Sequence, residues 1–213
     1  MATVLRPMAT VLARDSAPEA ADGRTRRAVR SRAAIEDALF ALVGEGNLQP
    51  TMQEVAARAG VAMRSVFRHY SDMEGLFAAV DARLRVEALP LLHEPDPTAS
   101  LPERLRALVR QRTRVFERIG PYKRAADVQR WRSPYIQSSQ QLLIDELRTR
   151  LRRWLPELAE ASADVQAAVE LVLSLEAWDR LRTAQGLGRT RTVAVMERTA
   201  ATLLGVTLPD RAK

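Results

Sequence analysis

Cysteine is absent from all 213 residues. That excludes a disulfide framework, a thiol nucleophile and any thiolate metal site. Histidine is almost absent too: His69 and His93 stand alone, too far apart in sequence to form a ligand pair on one helix turn. No run of about eighteen apolar residues occurs, so no segment reads as a membrane span. Strand signals are missing: there is no sustained period-2 alternation and no Asn-Gly or Asp-Gly hairpin. Gly-x-Ser-x-Gly and P-loop patterns are missing as well, and Gly186-Leu187-Gly188 reads as a helix break rather than a nucleotide loop. The sequence therefore suggests no enzyme, no cofactor and no metal. Lysine occurs only at 123 and 213, so 31 of the 33 basic residues are arginine.

What is present is helical periodicity over a chain that is 46% hydrophobic, enough to build a core. The spacing predicts a first helix over Ser31–Val43, with Ile35, Ala38, Leu39, Leu42 and Val43 at i, i+3, i+4, i+7 and i+8. Gly44 and Gly46 stop it. Thr51 and Glu54 form a capping-box pattern at the start of a second, short helix, and Gly60 ends that helix. A third helix follows over Ala62–Tyr70 and a fourth from about 72 to 88. The segment HEPDPTASLPE, with three prolines, reads as a linker. Five more helices are expected at 101–118, 121–131, 134–154, 163–185 and 190–205. The expected class is all-α. Residues 1–23, with MATVL repeated at 1–5 and 8–12, are expected as a disordered tail, leaving Met1 or Met8 as the start. A DNA-binding domain is expected over 24–88 and a helical regulatory and dimerisation domain over 89–213.

Two short helices joined at Gly60 have the form of a helix-turn-helix, with the motif at 51–70 and the first helix as a third wall. On the third helix Ala62, Val66 and Tyr70 should point inward. Met63, Arg64, Phe67 and Arg68 then share the opposite face, where the chain has nothing to bury them, and Ser65 lies beside it. That face suits the major groove of double-stranded DNA. Arg64 can fork onto guanine, Phe67 and Met63 can meet thymine methyls or sugar, and Arg68 and His69 can reach phosphate. His69 is equally well read as a packing partner of Tyr70. Thr51 offers a hydroxyl to phosphate. Upstream, GRTRRAVRSR holds five arginines. Arg26, Arg27 and Arg30 are expected to follow the DNA backbone or enter a minor groove, the alternative being a solvated tail.

The stretch from Ala33 to Phe77, with VAARAGVA, SVFRHY and EGLF, resembles the DNA-binding domain of the TetR family of transcriptional regulators. SLEAWDRLR at 174–182 is a weaker match to a later helix of some members. The resemblance implies an all-helical protein: a three-helix DNA-binding domain followed by a bundle that binds a small-molecule effector and dimerises. It also implies a cytoplasmic repressor without a membrane partner. Two departures matter. Met73 stands where members often carry a phosphate-binding lysine, and Phe67 stands where a tyrosine hydroxyl is usual. They leave open a second reading, a helical sensor or adaptor that has lost specific operator binding.

The segment 163–185 is apolar on two sides, with Val165, Ala168, Val169 and Val172 on one and Leu171, Leu175, Trp178 and Leu181 on the other. It therefore needs two covers. Together with the stripe of Val193, Met196, Ala200, Leu203 and Leu204 it suggests a four-helix homodimer interface, for which Val169, Val172, Leu175, Met196, Ala200 and Leu203 are the expected contacts. A two-fold dimer implies a pseudo-palindromic operator. Phe116, Tyr122, Trp131, Tyr135 and Trp178 are the expected lining of the effector pocket, each also a candidate for ordinary core. The basic run from 103 to 132, with ten basic and three acidic residues, reads chiefly as a solvated helix face. Glu176 is expected to pair with Arg180 at i+4.

Overall fold

A computed structural model describes residues 17–208, and among these every regular element is helical. The α-helices are α1 (Ala17–Gly44), α2 (Met52–Ala59), α3 (Met63–His69), α4 (Met73–Ala88), α5 (Leu101–Gln129), α6 (Pro134–Trp154), α7 (Ala163–Val172), α8 (Leu175–Asp179) and α9 (Arg189–Leu203). Residues 1–16 of the expected tail lie outside the described residues. Residues 17–23 form the first turns of α1. The arginine-rich segment is therefore helix as well.

Two clusters of buried side chains hold the molecule together. The first gathers Ile35 and Leu39 of α1, Val55 of α2, Val66 of α3 and Phe77 of α4, and runs on into Ile119, Tyr122 and Ala125 of α5. The second gathers Leu105, Leu108 and Phe116 of α5 with Trp154, Val169, Trp178, Met196 and Ala200. One long helix thus enters both cores, and the Tyr122 hydroxyl donates to the Phe77 carbonyl at 2.5 Å.

Two expected helix boundaries differ. Gly120-Pro121 does not break α5, which continues to Gln129 with Pro121 inside it. Proline there removes one backbone donor and costs about 3 kcal/mol in a free helix. Here Phe116, Ile119 and Tyr122 are all buried around the proline, and their packing holds the helix. Conversely, the expected helix 163–185 is divided. α7 ends at Val172, Ser174 caps α8 by accepting from the Ala177 N–H at 3.1 Å, and a π-helical turn covers Arg180–Ala184. Arg112, fully buried on α5, explains the break. Its guanidinium donates to the carbonyl of Leu173, at the break, at 2.7 Å and to that of Leu147 in α6, supplying a donor where α7 ends. Burial lowers the Arg112 pKa to about 10, so the group stays charged at neutral pH.

The basic run of α5 is also more structural than a solvated face. Arg104 donates to the carbonyls of Trp154 (3.0 Å) and Ala99 (2.7 Å) and pairs with Glu157. Lys123 and Arg124 hold Asp81 and Asp179.

Candidate nucleic-acid interface and effector cavity

The turn between α2 and α3 is built on Gly60, at φ +65°. Its N–H is aimed at the carbonyls of Ala56 and Ala57, and the Val61 N–H reaches Ala56 at 3.1 Å. A side chain in that left-handed conformation is strained, which is why glycine serves there. The turn fixes α3 so that Val66 is fully buried and Tyr70 nearly so. Ala62, expected inward, is exposed because it is the N-cap of α3 rather than part of its inner face.

Tyr70 anchors the end of α3 to α1. Its hydroxyl donates to the buried Glu36 carboxylate at 2.6 Å, and Arg32 reaches the same carboxylate at 3.0 Å. Burial, and then the neighbouring Glu36, push the Tyr70 hydroxyl pKa well up, so it remains a donor. The opposite face of α3 is open. Phe67 is 53% exposed and Met63 37%, and Arg64 and Arg68 are exposed beside them. Ser65 is half-buried. This is the outward cationic and apolar face that the spacing predicts.

His69 is half-buried against Tyr70, ring centres 6.3 Å apart, with Nε2 enclosed and unbonded. Burial, reinforced by the charges of Arg68 and Arg32, lowers its pKa, so the ring is neutral at pH 7. That favours packing over a charged phosphate contact. Thr51 is exposed, but its hydroxyl is committed. It donates to the Glu54 carboxylate at 2.8 Å and accepts from the Glu54 N–H at 3.2 Å. The capping box thus spends the hydroxyl proton expected for phosphate. Met73 is half-buried and packs on the first core, a contact a lysine there would have to give up. Arg26, Arg27 and Arg30 are exposed on the first part of α1, where i+3 and i+4 spacing puts them on one helical face.

Behind this head, Glu74 and Asp81 are among the residues that tie α4 to the bundle. Glu74 accepts from Ser133 Oγ at 2.5 Å and from the Tyr135 N–H at 3.1 Å, at the start of α6. Asp81, 3% exposed, pairs with Lys123 at 3.0 Å and Arg85 at 3.1 Å and accepts from Ser139 at 2.6 Å. The sequence reading missed this cluster. Its signal was a carboxylate in register with Phe77, Leu84 and Ala88 on the apolar face of α4.

A cavity of about 320 Å³ lies between α5, α6, α8 and the π-helical turn, walled by Ile136, Leu143, Ile144, Leu147 and Leu175. A second, of about 150 Å³, lies between α4, α5 and α6. None of the five expected aromatics lines either. Phe116 and Trp178 belong to the second core and Tyr122 to the first. Tyr135 faces α4 through Asp81 and Ala78, and Trp131 is 80% exposed under Arg130. Aromatics were the larger side chains, but the space opens where aliphatic α6 side chains stop short of α5 and α8. Glu176 and Arg180 stand at the mouth and form no ion pair, since the chain passes from α to π pitch at Arg180. Glu170 instead pairs with Arg148 at 2.7 Å.

Of the expected dimer contacts, Val169, Met196 and Ala200 are at most 1% exposed within the chain's own core. Val172, Leu175 and Leu203 are half-buried. The uncovered apolar surface is a groove at Leu171, Val172, Ala177, Leu181 and Val195, with Leu171 65% exposed. The groove draws on both expected stripes, Val172 from one and Leu171 and Leu181 from the other, while Trp178 of the second is buried.

The described structure is thus a helix-turn-helix head joined to a helical bundle, the architecture of a DNA-binding regulator. Residues 35–80 match the family described as bacterial regulatory proteins, tetR family. No curated protein matches the chain in sequence. Among solved structures, a transcriptional regulator from Rhodococcus aligns with TM-score 0.62 at 21% identity, covering 84% of this chain and 96% of that one. A TetR family transcription regulator from Marinobacter aquaeolei aligns with TM-score 0.59 at 15% identity, over 84% and 97%. SmeT in complex with triclosan aligns with TM-score 0.57 at 16% identity, over 86% and 99%. The chain carries the TetR-family DNA-binding domain on a TetR-family transcriptional regulator fold. Among the described residues no group of acidic or histidine side chains is placed to hold a metal ion, and no helix is long and apolar enough to cross a membrane.

Proposed function

We propose that the protein is a ligand-responsive transcriptional repressor that binds a pseudo-palindromic operator as a homodimer. The observation that carries the reading is the face of Met63, Arg64, Phe67 and Arg68, held outward by Val66 and Tyr70 and left open among the described residues. Arg64 reads base edges, Phe67 and Met63 meet methyl groups, and Arg68 meets phosphate. Arg26, Arg27 and Arg30 contact phosphate from outside the grooves. A helix about 10–12 Å wide does not fit a minor groove about 6 Å wide.

The exposed groove around Leu171 supports a two-fold interface with a second copy. That arrangement sets two copies of α3 about one DNA turn, roughly 34 Å, apart. The cavity between α5, α6 and α8 is within the size range of small-molecule sites, about 300–1,000 Å³. SmeT, of similar fold, has been solved with triclosan bound. Ligand in the cavity shifts the population of head spacings and releases the operator.

Selection of genomic fragments by the purified protein, with Arg64→Ala in parallel, tests the reading. A shared palindrome lost by Arg64→Ala supports it. Equal affinity for every duplex, unchanged by the substitution, favours a sensor or adaptor without operator binding. The absence of a hydroxyl on Phe67 and the packing of Met73 make that the competing outcome.

A further inference from the structure

Asp81 is one buried carboxylate shared by two cations. Lys123 Nζ lies 3.0 Å from one oxygen, and Arg85 Nε 3.1 Å from the other. The Lys123 charge faces space lined largely by carbon, where positive charge is costly, and Asp127 one turn along α5 offsets it only in part. An ammonium has three donors. Those of Lys123 are met by Asp81 and, at 3.4 Å, by Ser139 Oγ, which leaves one.

Lys123 also stands at a junction. It lines both cavities, and so do Leu143 and Leu147. The two spaces therefore share one wall, at Lys123, Leu143 and Leu147. Arg85 lines the smaller space and shares Asp81 with Lys123; the other cations are neutralised or outside. Arg124 pairs with Asp179 at 2.6 Å, Arg150 with Glu146 at 3.5 Å, and Arg180 is exposed at the mouth. The exposed carboxylates of Asp127 and Glu176 share that mouth. A molecule lying in the larger cavity thus meets positive charge at Lys123, carbon along its length and carboxylates at the entrance. A second negative charge at the outer end would be repelled.

We propose that the larger cavity binds an amphipathic monoanion, its carboxylate received by Lys123 and its alkyl chain laid along Ile136, Leu143, Ile144, Leu147 and Leu175. This rests on the effector-cavity reading above and names the ligand class for it. The regulation follows from the same atoms. A ligand carboxylate on Lys123 competes with Asp81, which loosens the tie between α4 and α5, and α4 carries the helix-turn-helix.

Isothermal titration calorimetry on the full-length protein, with decanoate, decanol and decyltrimethylammonium below their micelle concentrations, tests this. Decanoate should bind one site per protomer, at least about tenfold more tightly than either of the others, a free-energy difference of about 1.4 kcal/mol. Lys123→Met should reduce it to the affinity of decanol. Equal affinities, preference for the alcohol or the cation, or no binding of decanoate overturns the proposal. Lys123→Met removes a partner of a buried carboxylate and can misfold, so its melting curve is recorded. Leu143→Trp, which fills the cavity and leaves the charges alone, is titrated beside it and should abolish binding. Undiminished decanoate binding in Leu143→Trp overturns the proposal. Gel shifts on the selected operator separate this inference from the reading beneath it. Decanoate that binds through Lys123 without weakening the DNA complex supports the site and removes the ligand-responsive reading. Release by decanol, with decanoate inert, overturns the ligand class and keeps that reading.

Discussion

Replacing Asp81 by asparagine keeps the shape of the side chain and removes its charge. The substituted amide can still accept from Ser139, but Lys123, 13% exposed, then has no counter-ion. Removing one member of a buried pair costs about 3–5 kcal/mol, because the remaining charge is stranded. The low end applies here: Arg85, 39% exposed, can turn to water. About 3 kcal/mol in a chain of this size lowers Tm by roughly 6–12 °C, at about 2–4 °C per kcal/mol. The pH dependence follows from the carboxyl itself. Burial alone would raise its pKa; the Lys123 charge, the Ser139 hydrogen bond and Arg85 outweigh burial and hold it below the ordinary value. A depressed acid stabilises the fold above its unfolded pKa, about 3.9, and that contribution is lost as pH falls through the folded value. Thermal melts of wild type and Asp81→Asn, at one protomer concentration, should therefore differ fully from about pH 5 to pH 7, begin to converge below about pH 4 and meet once the folded carboxyl is protonated. Equal stability at pH 7, or a gap that persists in acid, refutes the reasoning.

Three further outcomes are expected. Arg68→Ala should weaken binding to all duplexes alike and lower the slope of log affinity against log salt by about one, whereas Phe67→Tyr, adding a hydroxyl at an exposed position, should raise it by a similar amount. Gly60→Ala, forced to φ +65°, should cost about 1–2 kcal/mol in a denaturant titration. Leu171→Glu should leave the fold intact, since that side chain is 65% exposed, and should shift sedimentation equilibrium toward the monomer.

The head was legible in sequence because its signals are local. Thr51, Glu54 and Gly60 each act within a few residues, and the i, i+4 spacing of Val66 and Tyr70 fixes which face of α3 is left outside. The bundle was less legible, because its decisive contacts cross long sequence gaps. Pro121 is tolerated only because two cores meet around it, and the break at Leu173 needs Arg112, 61 residues away. The cavity is a gap, and its position depends on where aliphatic side chains of three helices fail to meet. Chemical type did not mark it, so the aromatics were the wrong guide. At Thr51 the capping role and the expected phosphate role compete for one proton.

The most direct test is quantitative binding of the selected genomic fragment at about 150 mM salt, where nonspecific phosphate contacts are weak, by wild type and Arg64→Ala. Sequence reading by α3 predicts a two-fold site with half-sites about one turn apart and a loss of about 1–3 kcal/mol on substitution. Identical binding by both proteins to specific and scrambled duplexes would contradict it.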